Sequence, residues 1–391
     1  MRKRRHTAVS LIELLPEDLL IQIFLKLPVK YVYSCKRVCK HFLYIIEEPK
    51  YSVCTHKSLV LLHSGCKSEH GWPYYQNTFF MLLMDEITKE VVACLRLYPP
   101  FRNCPGLYHP TVIGSSNGLI CYAAWLGYNY DIDFANFMLL LWNPVTNQSR
   151  YVPRHQSKCK PDVIEFGYIE ETNDYVIVKV GSPGFNLEVY NMSTDSWRTI
   201  DSNLFSRADS IPTVYRDQNA VFVNGSFHWA IKNSNSNNVV YYNVKEEKLG
   251  LINMLDSDNG LNDKRRGFYR RKLDKWRGFN RRKLLVVEEK LAMIYWNRKK
   301  GNRFEIWVMN DCGIGNSWTR HFQISETFTD CMGYWANGLI LLNEEEVLFF
   351  YDLKTRSRKK MSLRDTTGWR HRRINGFSSF VTTRVPVSKY R

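Results

Sequence analysis

The sequence predicts a multidomain chain, α plus all-β: a small N-terminal helical module followed by a β-propeller of about six blades. Three observations predict it. Residues 14–46 form an apolar stretch with helical spacing, punctuated by prolines. From about residue 57 the texture changes to short apolar or aromatic runs of strand type, each ending on Asn or Asp. Asn-Gly pairs recur in front of further apolar runs, at 117–118, 224–225 and 337–338.

In the helical stretch, LLPEDLLIQIFLKLPVKYVYSCKRVCKHFLYII, the residue types predict two or three short helices. Pro16 and Pro28 are read as first helical residues, where a missing N–H costs nothing. Glu17 and Asp18 suit the positive end of the helix dipole. Leu19, Leu20, Ile23, Phe24 and Leu27 recur at three- and four-residue steps, and Val32, Cys35, Val38, Cys39, Phe42, Leu43 and Ile46 form a second apolar set. Roughly forty residues cannot bury that much apolar surface alone, so the surplus face is expected to belong to a partner.

The β region repeats. Asp85, Asn143, Asn191, Asn243, Asn310 and Asp352 each close an apolar run, at successive gaps of 58, 48, 52, 67 and 42 residues. A period near 40–55 residues with several strands per unit is the signature of propeller blades. Asn-Gly supplies the positive-φ turn of a tight hairpin. Radial repetition hides most strand edges. The runs SLVLLH (58–63) and FSSFVTT (377–383) are expected to pair and close the ring.

The longest gap contains a tandem duplication. DKRRGFYRRKL (263–273) is followed directly by DKWRGFNRRKL (274–284), identical at nine of eleven positions. Without one copy the 67-residue gap shortens to 56. A duplication of this composition is read as an exposed loop. Residues 263–283 hold eleven Lys/Arg and two Asp, so +9 of the formal +17 comes from 21 residues. Its aromatics, Phe268, Tyr269, Trp276 and Phe279, stand among the cations as base-stacking side chains do.

With 44% hydrophobic and 14% aromatic residues the chain is globular. No secretory signal and no apolar run of membrane-spanning length is read in it. The ten cysteines lack paired spacings and are expected to be reduced thiols, placing the protein in the cytoplasm and/or nucleus; Arg2 to Arg5 is either a nuclear signal or a basic end. Gly114-Ser115-Ser116-Asn117-Gly118 fits the nucleophile-elbow pattern literally, but that motif needs a strand–turn–helix context, and LICYAAW after it reads as strand. Cys54, His56, His63, Cys66 and His70 do not fit the usual zinc spacings. No catalytic residue, metal or cofactor is expected.

Leu15-Pro16-Glu17-Asp18-Leu19, Ile23, Leu27-Pro28-Val29-Lys30 and Val38-Cys39-Lys40 resemble the F-box. Phe42 stands where the plant family usually has Trp. FGYIEETNDYVIVKV (166–180), LEVYNMSTDSWRTI, VFVNGSFHWAI, EIWVMN, SWTR and YDLKTRSRKKM resemble, in order, landmarks of the plant F-box-associated domain. Ile169 replaces that domain's usual Asp. The resemblance is to plant F-box proteins with an F-box-associated or kelch-like propeller, the group that includes S-locus F-box-like proteins. It implies an F-box at residues 12–52 and a substrate-binding propeller at 57–385. It also implies the role of substrate receptor in a Skp–cullin–F-box ubiquitin ligase, with cullin and RING subunits recruited through the Skp adaptor. The chain would then bind and other subunits would catalyse. The expected adaptor contacts are Leu15, Pro16, Leu20, Phe24, Leu27, Pro28, Val38 and Phe42. Candidate substrate contacts are Arg265, Arg266, Arg270, Arg271, Trp276, Arg277, Arg281 and Arg282 in the basic loop. The alternative is an RNA-binding propeller using that loop, whose affinity would fall steeply with salt. A protein target is the expected partner, and neither a membrane nor nucleic acid is.

Overall fold

The computed structural model describes residues 15–27, 35, 38–47, 57–66, 76–98, 100, 107–126, 137–144, 147–154, 160–182, 186–200, 213–214, 220–232, 237–253, 281–297, 303–311, 317–325, 328–343, 347–361 and 373–380. Among the described residues two helices come first, α1 (Glu17–Lys26) and α2 (Lys40–Glu47). The elements that follow them there are strands, which make six antiparallel sheets, the six blades that the Asn/Asp repeat predicts. The first blade joins β25 (Arg373–Phe380), β1 (Lys57–Cys66), β2 (Gln76–Asp85) and β3 (Val91–Leu97). Blade two is β4 (Leu107–Ser116), β5 (Leu119–Leu126), β6 (Phe137–Asn143) and β7 (Gln148–Tyr151). Blade three is β8 (Lys160–Ile169), β9 (Asp174–Ser182), β10 (Asn186–Asn191) and β11 (Ser196–Ile200). In blade four the first strand is split into β12 (Thr213–Val214) and β13 (Val221–Val223), both paired with β14 (Ser226–Lys232), before β15 (Asn237–Asn243) and β16 (Lys248–Asn253). Blade five is β17 (Arg281–Val287), β18 (Lys290–Asn297), β19 (Arg303–Met309) and β20 (Trp318–Ser325); blade six is β21 (Asp330–Trp335), β22 (Gly338–Leu342), β23 (Leu348–Asp352) and β24 (Arg358–Lys360).

Each Asn/Asp landmark ends the third strand of a blade or follows it directly. The reason is local. Asp85 Oδ1 accepts from the N–H groups of Ile87 (2.9 Å) and Thr88 (2.8 Å), and Asp352 Oδ1 accepts from those of Lys354 and Thr355, both at 2.8 Å. Asn243 Oδ1 accepts from Glu246 N–H at 2.9 Å. A short side-chain acceptor thus stands in for a backbone turn. Four residues after the landmark, Lys89, Asn147, Asp195, Glu247 and Arg356 adopt positive φ and deliver the chain into the fourth strand.

The second marker needs one correction. Asn117-Gly118 and Asn224-Gly225 are the positive-φ turns between first and second strands, as predicted. In blade six the turn lies one residue earlier, on Ala336 (φ 46°) and Asn337 (φ 64°), with Trp335 opposite Gly338. Gly338 is required for packing instead: a Cβ there would lie 2.4 Å from the Phe350 ring and 2.5 Å from the Tyr351 carbonyl. Blade five makes the same turn with Glu288 and Glu289, at φ 50° and 59°, a pair that carries no glycine signal.

The ring closes as predicted. β25 pairs antiparallel with β1, Leu59 opposite Phe380 and Leu62 opposite Phe377; residues 381–383 of the expected closing run lie outside the described residues. The first strands of neighbouring blades approach one another, β25 with β4, β4 with β8, β13 with β17, β17 with β21 and β21 with β25, so they form the inner ring. Apolar clusters fill the spaces between blades. Trp229 packs with Val178 and Val189 between blades three and four, and Phe304 with Leu339 and Leu341 between blades five and six.

Polar links tie blades at their outer edges. Arg150 on β7 pairs with Asp195 in the β10–β11 turn and donates to Tyr190 Oη at 3.1 Å. Arg198 on β11 meets Glu247 in the β15–β16 turn at 2.7 Å. Lys359 on β24 meets Glu90 at 2.9 Å and the Thr88 carbonyl at 2.6 Å. In all three cases the cation stands seven residues after its blade's landmark. The Arg198 and Lys359 pairs are exposed and contribute only about 0–1 kcal/mol each; Arg150 is more buried.

Glu165, on β8, is a buried acid between blades three and four; its Oε1 accepts from Ala220 N–H at 2.6 Å. Burial pushes its carboxyl well above the ordinary carboxylate range, opposed by that hydrogen bond. A raised folded-state value means stability is fully present below the unfolded value, about 4.3, and is lost as pH rises towards the folded one. Glu165→Gln keeps the acceptor and removes the titration. The variant is expected to melt above wild type at pH 7.5, with the difference vanishing near pH 4; equal melting at both pH values would contradict this.

Candidate functional sites

α1 begins where the sequence says it should, with Glu17 and Asp18 in its first turn. Pro16 is the residue before the helix, not its first member. It is extended (φ −53°, ψ 143°), and its carbonyl accepts from the N–H groups of Leu19 and Leu20 at 3.0 and 3.1 Å. Leu27 ends α1 in an extended conformation (φ −78°, ψ 142°), as the residue before a proline prefers. Pro28 lies outside the described residues.

The expected adaptor contacts divide. Leu20 (1% exposed), Phe24 (2%) and Phe42 (7%) are not surface residues. They form the module's own core with Ile45 and Ile46, and the Phe24 and Phe42 rings meet edge-to-face at 5.1 Å. Such a pair is buried first because aromatic rings carry the largest apolar area. Leu15 and Leu27 are half-buried against that core, while Pro16 and Val38 are exposed, Val38 at 68%. Leu19, Ile23 and Tyr44, which are not among the expected contacts, are 46%, 44% and 49% exposed. Leu19 and Ile23 are four residues apart, as are Leu20 and Phe24, so α1 carries two adjacent apolar stripes. One builds the module and the other faces outward.

The antiparallel order of each blade sorts its connections onto two faces of the ring. The tight turns, first to second strand and third to fourth, lie on one face. β1 begins there, with Lys57 opposite Asp85, and β25 ends there, so the chain from α2 joins the ring on the tight-turn face. The strand ends joined by second-to-third and blade-to-blade connections lie on the other face; residues 254–280, which hold most of the duplication, lie outside the described residues.

Arg265, Arg266, Arg270, Arg271, Trp276 and Arg277 lie outside the described residues. Arg281 and Arg282 are not loop residues: they open β17, opposite Trp296 and Tyr295. The second copy therefore ends inside a blade, with Leu284 buried and Lys283 Nζ donating to the Cys331 carbonyl at 2.7 Å. The last four residues of both copies are Arg-Arg-Lys-Leu. Deleting residues 274–284 joins Leu273 to Leu285 and regenerates β17 without a change in its sequence. That variant is expected to fold and to melt within a few degrees of wild type, since loop closure changes by only roughly 0.6 kcal/mol per doubling of length. Loss of cooperative unfolding would show that the two copies are not interchangeable.

Cys121, Cys331 and His228 are held in the core. Ser116 ends β4, and Asn117-Gly118 leads into strand β5, so the elbow-like motif is a hairpin; Tyr175 Oη donates to the Asn117 carbonyl at 2.7 Å. Burial pushes the Cys331 thiol up to about 12 and pulls His228 down to about 4, leaving a neutral ring at pH 7. His63 and Cys66 belong to β1, opposite Phe79 and Gln76; Cys54, His56 and His70 lie outside the described residues.

Two family models agree with this architecture. Residues 12–52 match the F-box domain, and residues 115–375 match the F-box associated beta propeller domain. The chain belongs to the family of F-box proteins with an F-box-associated propeller. Its relatives in Arabidopsis thaliana include F-box protein At3g07870, 24% identical over 384 residues, covering 87% of this chain and 83% of that one. F-box/kelch-repeat protein At3g23880 is 22% identical over 343 residues, covering 84% and 85%. Among solved structures, a chain of a nidogen/laminin complex is similar at a TM-score of 0.48 and 9% identity, over 83% of this chain and 99% of that one.

Proposed function

We propose that the protein is the substrate-recognition subunit of a Skp–cullin–F-box ubiquitin ligase. The F-box binds the Skp adaptor, the propeller holds a target protein, and the cullin and RING subunits that the adaptor brings carry out ubiquitin transfer, leading to proteasomal degradation. The chain itself is non-catalytic and acts in the cytoplasm and/or nucleus. The observation that carries this reading is the outward apolar surface of a helical module that matches the F-box: Leu19, Ile23, Val38 and Tyr44 stay exposed after Leu20, Phe24 and Phe42 have made the core. Exposed apolar side chains grouped on so small a module mark an interaction surface. Pro16 is exposed as well, Leu15 and Leu27 are half-buried, and Pro28 follows Leu27 in sequence. Co-expression of the full chain with a Skp adaptor tests this directly. Stable co-purification, lost on deletion of residues 1–50, is the expected result; a chain that elutes without the adaptor would refute it.

A further inference from the structure

The outer strand of blade six, β24, differs from its counterparts. β3, β7, β11, β16 and β20 hold one Lys or Arg each, whereas β24 is Arg358-Lys359-Lys360. The turn before it adds Lys354 and Arg356, so residues 354–360 carry five cations and no acid, and all of them are exposed. On the other outer strands Arg150, Arg198 and Arg320 each pair with an acid, and Arg96 lies over the Tyr98 ring at 5.4 Å. In β24 Lys359 meets Glu90 of blade one, and Arg358 lies over the Phe349 ring at 5.8 Å. Lys354, Arg356 and Lys360 have no ion pair among the described residues.

Backbone geometry sets what this edge presents. Phe349 stands opposite Lys360, Phe350 opposite Lys359 and Tyr351 opposite Arg358. Met361 N–H donates to the Leu348 carbonyl and Asp352 N–H to the Ser357 carbonyl, both at 2.9 Å. Bonded and non-bonded pairs alternate along an antiparallel ladder, so Ser357, Lys359 and Met361 turn their backbone groups to β23. The N–H and C=O groups of Arg358 and Lys360 therefore point outward, away from the sheet. The side chains of Arg358 and Lys360 share the face of Phe349 and Tyr351, on the side of blade five. That of Lys359 shares the face of Phe350, on the side of blade one.

We infer that β24 is a docking edge for an acidic, extended segment of a protein partner, which adds a strand to the outside of blade six. The inference rests on the ligase reading and deepens it by giving the target's chemistry and the place where it binds. Main-chain hydrogen bonds hold an added strand, and its alternate side chains give specificity. Two carboxylates two residues apart in the segment match Arg358 and Lys360, while Lys354 and Arg356 strengthen the positive field at the turn. A single-sign patch raises the association rate of an oppositely charged partner. The same cations reject the neutral apolar strands that an open edge otherwise attracts. Nucleic acid fits less well, because the ring at this edge, Phe349, is half-buried under Arg358 and not open to a base.

The test uses the full chain, fluorescence anisotropy at low salt and three probes. These are a peptide of alternating Glu and Thr, a peptide of the same composition with its Glu residues in one block, and an oligouridylate RNA of matching length. Wild type is expected to bind the alternating peptide more tightly than the block peptide, and to release it as salt rises. Lys354→Glu/Arg356→Glu/Lys360→Glu should weaken that binding at least tenfold. Position 356 accepts Glu, since Glu247 has the same positive φ in blade four, 51° against 56°. Lys245→Glu/Lys248→Glu/Lys290→Glu, on blades four and five, should leave binding unchanged. Lys360→Pro removes an outward N–H without touching the ladder to β23, so it should weaken binding more than Lys360→Gln, which removes the charge alone. No binding by wild type, equal loss in both glutamate triples, or equal affinity for the two peptides overturns the inference. Equal binding by the two Lys360 variants overturns it as well; if Lys360→Pro loses its cooperative melt, the comparison of the two peptides decides. Tighter binding of the RNA through the same residues makes the occupant nucleic acid and also overturns it. Adaptor co-purification separates the two readings: peptide binding without adaptor fails the ligase reading alone, and adaptor without peptide binding fails this inference alone.

Discussion

Ending the chain at Met361 is expected to cost the propeller its cooperative fold. The truncation removes β25, the strand that supplies the inner edge of blade one and links the two ends of the chain. Seven residue pairs join β25 to β1, and at roughly 0.5–1.5 kcal/mol per hydrogen bond the ladder contributes several kcal/mol. That is a large share of a net stability of about 5–15 kcal/mol. The approaches of β25 to β4 and β21 are lost as well. The β1 sequence Ser58-Leu-Val-Leu-Leu-His63 would then present an unpaired apolar edge, which templates aggregation. Circular dichroism melting and gel filtration should show a broad, lowered transition and a shift to aggregates. A synthetic peptide spanning residues 371–385 should partly restore the melt by strand addition. A truncated protein that melts as sharply and at the same temperature as the full chain would show that closure does not depend on β25.

The same closure illustrates what the sequence makes legible. Asp85 and Asp352 mark blades because their carboxylates organise the turns that follow, so a local chemical need leaves a residue-level signal at every repeat. The apolar run Leu59-Val60-Leu61-Leu62 in β1 and the aromatics Phe377 and Phe380 in β25 likewise mark strands. Features that depend on a distant neighbour leave no such mark. Gly338 is read as a turn residue because Asn precedes it; the Phe350 ring that excludes a Cβ is on another strand. Glu288-Glu289 makes the equivalent turn through tertiary context that overrides its poor turn chemistry. The duplication reads as loop to its end, because nothing in Arg281-Arg-Lys-Leu284 reveals that β18 lies beside it. In α1 both apolar stripes are equally apolar in sequence, and only the position of α2 decides which becomes core.

That last division gives the second large effect, since two sets of substitutions in one helix should fail in different ways. Leu19→Ala/Ile23→Ala/Val38→Ala trims side chains that are already exposed. The module should keep its helicity and the propeller its melting temperature. Truncating interface anchors costs on the order of 1–4 kcal/mol each, so adaptor affinity should fall by more than about a hundredfold. Phe24→Ala instead removes one ring of the Phe24–Phe42 contact at the centre of the module. A buried Phe→Ala change costs about 3–5 kcal/mol, more than so small a core can spare. Adaptor binding should then disappear together with the helical signal and with protease resistance of residues 15–47. Isothermal titration with the Skp adaptor, run beside circular dichroism of residues 1–56 in isolation and limited proteolysis of the full chain, separates the two. Adaptor affinity that survives the exposed triple while falling with Phe24→Ala would mean that the adaptor opens the module to reach its core, and the outward stripe would not be the docking surface.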